Sequence, residues 1–219
     1  MSLLDVTKAR ASFYAFLNVH FIELPDETFT GILRSEEFLR VLRHLKRSRE
    51  VHPEIAQGAS LMRAYLSSTR ALDDREIANR LGVDRTRLYR GVPAPHGPAP
   101  PYEALWIGAG EESRVLQEMA RIYAQSGFAL NAGFRERLDY IGIELHYLER
   151  LVVNEISARE AQDEKLVQEA VDHERNFLRN HLGKWVPSFV SSALGHAQTD
   201  FYKGHLQMLE GFVEQEKEL

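Results

Sequence analysis

The sequence predicts an all-α fold, a single helical bundle of about nine to ten helices. Three observations predict it. Apolar residues recur at intervals of three and four almost everywhere, the period of an amphipathic helix. No stretch alternates in the way a half-buried strand does, and no internal repeat is present. Five of the eight prolines fall between Pro93 and Pro101, so the residue that most strongly breaks helices is concentrated in one place.

In order along the chain, Val6, Ala9, Phe13, Phe16, Leu17 and Phe21 form the first helical stripe, and Pro25 ends it. Asp26 can cap a short second helix carrying Phe29, Ile32 and Leu33. Phe38, Leu39, Leu42 and Leu45 mark a third, with Arg40, Arg43, Lys46 and Arg47 on its outer face. His52-Pro53 starts a fourth, running to about Leu72, and Asp73-Asp74 a fifth, to about Tyr89. Gly91 to Pro101 is an extended loop, because proline lacks the amide donor and restricts the residue before it. Glu111-Glu112 opens the next helix, which Gly127 stops. A long helix from about Arg135 to Ala161 carries two apolar stripes, as expected of an element in the middle of a bundle. Leu166 to Leu178 follows with a stop near Gly183, then a short helix through Trp185 and Leu194. A last helix runs from Phe201 to Val213, with a fraying end at 214–219. The chain therefore divides into an N-terminal part (1–90), a proline-rich hinge loop (91–101) and a C-terminal part (102–219) around one core.

A chain of 219 residues with 44% hydrophobic and 27% charged residues can bury a sizeable core. The absence of cysteine excludes disulfides, thiolate metal sites and a cysteine nucleophile. A net charge of −5 argues against a dedicated nucleic-acid binder. Neither a signal peptide nor a membrane span is expected, and a cytoplasmic location is.

Arg75 to Arg90 has the outline of a helix-turn-helix, with Leu81-Gly82-Val83 as the turn and Thr86–Arg90 as the reading helix. Its five arginines face four acids in and just before it, Asp73, Asp74, Glu76 and Asp84, and the would-be reading helix runs directly into the prolines. A kink or 3₁₀ turn at Gly82 is the structural alternative. The nine histidines are scattered, and none lies in a His-Glu-x-x-His or Glu-x-x-His pattern, so no metal is expected. Phosphate-cradling glycine loops and a Gly-x-Ser-x-Gly elbow are missing as well. The chain reads as neither an enzyme nor a cofactor protein, with no catalytic residue. Asp139 has two readings. It caps the long helix or pairs with Arg135, or it is a carboxylate waiting beside a groove for a cationic ligand.

Asp84-x-Thr-Arg-Leu-Tyr-x-Gly91, the proline-rich loop, Pro101-Tyr-Glu103, Asp139-Tyr-Ile-Gly-Ile-Glu-Leu145 and Phe177-Leu-Arg-Asn-His-Leu-Gly-Lys-Trp-Val-Pro187 occur in this order. Together they resemble the TorD/DmsD family of redox-enzyme maturation proteins over essentially the whole chain. The resemblance implies a cytoplasmic chaperone. Its partner would be the N-terminal segment, a twin-arginine leader or its equivalent, of a molybdopterin oxidoreductase subunit, held until the cofactor is in place. It also implies a peptide site. Asp139 and Glu144 are its candidate acids for guanidinium groups. Leu88, Tyr89, Tyr102 and Trp106 are its candidate groove residues, with Glu103 and Tyr140 beside them. The stiff loop would hold Tyr89 and Tyr102 apart as the banks of that groove. Where the family has Glu-x-Pro-Asp-His-Ile-Gly, this chain has Glu136-Arg-Leu-Asp-Tyr-Ile-Gly142, so that Leu138 replaces the proline and Tyr140 the histidine. Two functions stay open here, the chaperone and a helix-turn-helix regulator using residues 75–90. A monomer and a domain-swapped dimer are both compatible with a long loop between helical parts.

Overall fold

The computed structural model describes residues 2–130 and 135–218. Among them the fold is all-α, with eleven helices: α1 Leu3–Ile22, α2 Glu27–Leu33, α3 Glu36–Arg47, α4 Pro53–Ser68, α5 Asp74–Tyr89, α6 Ala104–Ile107, α7 Glu112–Gln125, α8 Ile141–Glu160, α9 Glu164–Asn180, α10 Leu182–Leu194 and α11 Asp200–Lys217. None of the helices is long and apolar enough to cross a membrane.

Capping side chains set several starts. Asp26, Ser35, Asp73, Asp163 and Thr199 each accept a backbone N–H from the first turn of the helix that follows, which satisfies donors that have no partner inside the helix. Gly91, at φ +70°, takes the left-handed conformation just beyond α5 and turns the chain into the proline-rich loop.

Several boundaries differ from the sequence expectation. The long helix begins at Ile141 rather than Arg135, because residues 139–141 first pair with residues 101–103. The stop expected near Gly183 falls at Asn180; Gly183 itself lies in the first turn of α10, and Pro187 follows inside the same helix. The chain end is helical to Lys217, and Glu216 is buried. The four-residue α6 is too short to leave a periodic signal. Most consequentially, α5 is continuous from Asp74 to Tyr89. Gly82 makes neither a turn nor a 3₁₀ break, so the helix-turn-helix does not exist.

The contacts fall into two compact units; one boundary falls in the 91–101 loop, between Pro100 and Pro101, and the others after Val19 and Trp185. One comprises Met1–Val19 with Pro101–Trp185, the other His20–Pro100 with Val186–Glu218. The reason lies in which helices share contacts. In the first unit α8 and α9 pack together, and Arg10 of α1 is buried against Glu155 of α8 and Glu174 of α9. In the second, α11 returns to α4 and crosses it at a pair of glycines. A Cβ on Gly204 would come within 2.5 Å of the Gly58 carbonyl oxygen, so only glycine permits this approach.

Candidate functional site

In the first unit the chain brings two distant segments together before each enters a helix. The Ile141 N–H donates to the Pro101 carbonyl at 3.0 Å, and the Glu103 N–H donates to the Asp139 carbonyl at 2.9 Å. Tyr102 and Tyr140 thereby form an antiparallel bridge, with ring centroids 5.4 Å apart. The Tyr102 hydroxyl donates to Glu136 at 2.6 Å. Tyr140 is buried, whereas Tyr102 and Trp106 are half-buried.

Three carboxylates are buried around this bridge: Asp139 at 0%, Glu144 at 0% and Glu103 at 2% exposure. Their surroundings differ. Asp139 does not cap α8, and its ion pair is with Arg137. It accepts the Ala104 N–H at 3.1 Å on Oδ2 and the guanidinium of Arg137 on both oxygens, at 3.0 and 2.8 Å. Arg137 also reaches Glu112 at 2.7 Å, and its guanidinium carbon lies 5.0 Å from the Tyr102 ring centroid. Glu103 meets Nδ1 of the buried His181 at 3.1 Å. Glu144 has the least support. The Trp185 indole donates to its Oε2 at 3.3 Å, and Oε1 has no hydrogen-bond partner. Burial, and next the charge of Glu103, push the Glu144 carboxyl well above the usual carboxylate range, against the opposing effect of the Trp185 bond. The centre thus sets three buried carboxylates beside the rings of Tyr102, Tyr140 and Trp185. Among the described residues no group of side chains is arranged to hold a metal ion.

Of the residues expected at a peptide site, Tyr102, Glu103, Asp139 and Tyr140 are thus drawn together by hydrogen bonds. Trp106 is tied to the same turn by its N–H on the Glu103 carbonyl. Glu144 lies close enough for the charges of Glu103 and Asp139 to act on it. Leu88 and Tyr89 are elsewhere, in the core of the second unit, at 0% and 1% exposure. The Tyr89 hydroxyl is 2.9 Å from His205 Nδ1, and its ring packs on Phe21. Side chains so enclosed do not form the bank of an open groove. The proline-rich loop does line a depression in that unit, of about 540 Å³, with Val92, Pro95 and His96 facing Val83, Arg87 and Gln198.

Sequence reasoning did not single out Arg137, His181, Trp185 and Glu112 for this centre. His181 and Trp185 stand in the quoted Phe177–Pro187 stretch, which was the available signal. Arg137 occupies an unspecified position of the family motif and so carried none.

In the second unit, the neighbours Asp84 and Arg85 stitch opposite helix ends. Asp84 accepts the Thr199 N–H at 2.8 Å, the Thr199 hydroxyl at 2.7 Å and the Gln198 N–H at 3.1 Å, all at the start of α11. Arg85 donates to the carbonyls of His20, at 3.0 Å, and Phe21, at the end of α1. An acid at a helix N-terminus and a base at a C-terminus are each favoured by the helix dipole.

Residues 49–191 match the family model described as nitrate reductase delta subunit. Curated relatives carry the name chaperone protein TorD. The one from Vibrio parahaemolyticus is 26% identical over 51% of this chain, and the match spans 52%, about half, of that protein's own length. The one from Photobacterium profundum is 23% identical over 74% of this chain and 73% of its own. The one from Vibrio cholerae serotype O1 (strain M66-2) is 21% identical over 97% and 92% respectively. These relatives are named as chaperones, not as enzymes. No solved structure matches the chain. With its family model matched over most of the sequence, the chain belongs to the nitrate reductase delta subunit family and, within it, to the TorD/DmsD chaperones.

Proposed function

We propose that this protein is a cytoplasmic chaperone for a molybdopterin oxidoreductase. In this reading it binds the N-terminal, leader-like segment of the catalytic subunit and holds it until maturation is complete. The observation that carries the reading is the centre around the Tyr102–Tyr140 bridge. A leader with paired arginines followed by an apolar stretch needs carboxylates for its guanidinium groups and apolar surface for the rest. Here the buried Asp139 already holds a guanidinium in bidentate fashion. Tyr102 and Trp106 are half-buried beside it, and Leu105 between them is 49% exposed. Aromatic side chains of this kind dominate affinity when a partner covers them.

The test is calorimetric titration of the purified chain with synthetic leader segments of molybdopterin oxidoreductases. Binding is expected, and Asp139→Asn is expected to weaken it roughly tenfold or more, the size of one charge-assisted pair at about 1.5–3 kcal/mol. Changing the paired arginines to lysines is expected to weaken it as well, because an ammonium cannot match the carboxylate fork. No binding of any leader segment, with a folded chain, would remove the proposal.

A further inference from the structure

The guanidinium held by Asp139 belongs to the chain itself, and the way it is held differs from that of the buried Arg10. Arg137 makes a fork-to-fork pair with Asp139, a second ion pair with Glu112 and a stack over Tyr102. A bidentate carboxylate, a second anion and an aromatic face are the complete requirements for recognising an arginine side chain. Yet the side chain that fills this seat is anchored only two residues from Asp139, outside any helix. It is 32% exposed, whereas the carboxylate it covers is 0% exposed. Arg10 shows the opposite case. It is 9% exposed and joins residues 145 and 164 positions away, so its removal would loosen the packing of three helices.

This asymmetry decides which partner can leave. Arg137 swinging outward regains water around its guanidinium. Asp139 has no such outlet, and a buried carboxylate requires a cation or a proton. The seat is therefore permanent and its occupant exchangeable. We propose that Arg137 is a resident placeholder in an arginine-binding seat formed by Asp139, Tyr102 and Glu112. An arginine side chain of a bound partner segment displaces it. This deepens, and rests on, the chaperone reading, because the leader's arginine is the intended occupant. It gives the free protein a satisfied Asp139 and makes partner affinity a contest between two guanidinium groups. Lysine competes poorly for such a seat, since it cannot form the fork.

The experiment uses acetyl-Arg-Arg-amide and acetyl-Lys-Lys-amide as probes, titrated into the full chain and into Arg137→Ala and Arg137→Gln. If the resident arginine leaves the seat open about a tenth of the time, its removal tightens the Arg-Arg probe by about tenfold. The Lys-Lys probe is expected to gain little, and adding Asp139→Asn to Arg137→Ala is expected to abolish the gain. In the unaltered chain, the Arg137 side-chain Nε–H signal is expected to lose its hydrogen-exchange protection as the Arg-Arg probe binds. This second readout holds if the alanine variant fails to fold. Unchanged or weaker Arg-Arg binding in the folded variants, or a protected Arg137 signal at saturation, overturns the placeholder. The two ideas fail separately. Leader binding that depends on Asp139 but does not tighten on loss of Arg137 leaves the chaperone reading standing without the placeholder. Tighter probe binding with no leader binding does the reverse.

Discussion

The two units bury charge with different balances of side-chain and backbone partners. In the first, charged side chains are answered by other side chains: Arg10 by Glu155 and Glu174, Glu103 by His181, Asp139 by Arg137. In the second, Arg85 is answered by the carbonyls of His20 and Phe21, and Asp84 by the amides of Gln198 and Thr199 and the Thr199 hydroxyl, with Arg87 as its one ion-pair partner among the described residues, at 3.0 Å. Backbone groups cannot be exchanged without undoing a helix end, so the charges of the second unit fix architecture. Side-chain partners can be exchanged one for another, and this is what a receptor for cationic groups needs. The contrast also reassigns the Asp84–Gly91 motif. Its acid, arginine and tyrosine form helix ties and core, and the proposed function puts the binding chemistry around Asp139.

The hardest test of that contrast is the first unit's most buried pair. Arg10→Ala leaves Glu155 and Glu174 without their shared guanidinium. Glu155 keeps Arg159 and the Thr7 hydroxyl, while Glu174 loses the ion pair it makes with Arg10. Removing one partner of a buried ion pair costs about 3–5 kcal/mol. Both tryptophans, Trp106 and Trp185, lie in the first unit, so denaturant unfolding followed by indole fluorescence reads the loss directly. A loss below about 1 kcal/mol, the level of a solvent-exposed pair, would show that the first unit is not held by its charges.

A second consequence is that two buried groups, Glu144 of the first unit and His20 of the second, answer pH with opposite signs. Glu144 in the first unit has its carboxyl raised, first by burial and then by the Glu103 charge. Its contribution to stability is whole below the ordinary carboxylate value and is lost as pH rises through the raised one. His20 in the second unit is held well below the ordinary imidazole value, first by burial and then by His205 and Arg85. Its contribution is whole above the ordinary imidazole value and is lost as pH falls through the depressed one. Each contributes at most about 1.4 kcal/mol per pH unit, the limit for one proton. Glu144→Gln is therefore expected to gain on the wild type as pH rises from 5 to 8. His20→Phe, which keeps an aromatic ring among Phe29, Phe201 and Tyr202, is expected to gain on it as pH falls from 7 to 5. Melting curves across this range check both, and slopes of the same sign for the two variants would dissolve the contrast.

Much of the helical frame was legible because its signals are local. Apolar spacing and a capping aspartate suffice for α2, α5 and α9. The acids of the centre were legible in part: Asp139 stood out through its motif, and Glu144 with it. What sequence could not supply was pairing at a distance. Residues 101 and 141 exchange a hydrogen bond across forty positions, and that bond delays α8 by a turn and a half. Trp185 reaches Glu144 over a similar separation. Leu88 and Tyr89 look like groove residues beside a loop, but such residues are equally at home inside: both are buried, and the Tyr89 ring packs against Phe21 and Phe189.

The mildest prediction sharpens the comparison by asking where the units do not differ. Their helices start by the same device. Asp163 accepts the Leu166 N–H at 3.1 Å in the first unit, and Asp73 accepts the Glu76 N–H at 2.7 Å in the second. Loss of such a cap costs about 1 kcal/mol wherever it occurs, because the freed amide is left to water in both cases. Asp163→Ala and Asp73→Ala are thus expected to lower stability by similar amounts. Guanidinium and urea titrations of the two variants measure this. Equal losses place the difference between the units in their buried centres alone. A much larger loss at Asp73 would mean that the second unit depends on its helix ends more deeply than the ties from Asp84 and Arg85 already indicate. The contrast would then lie in how helices are terminated rather than in how charge is buried.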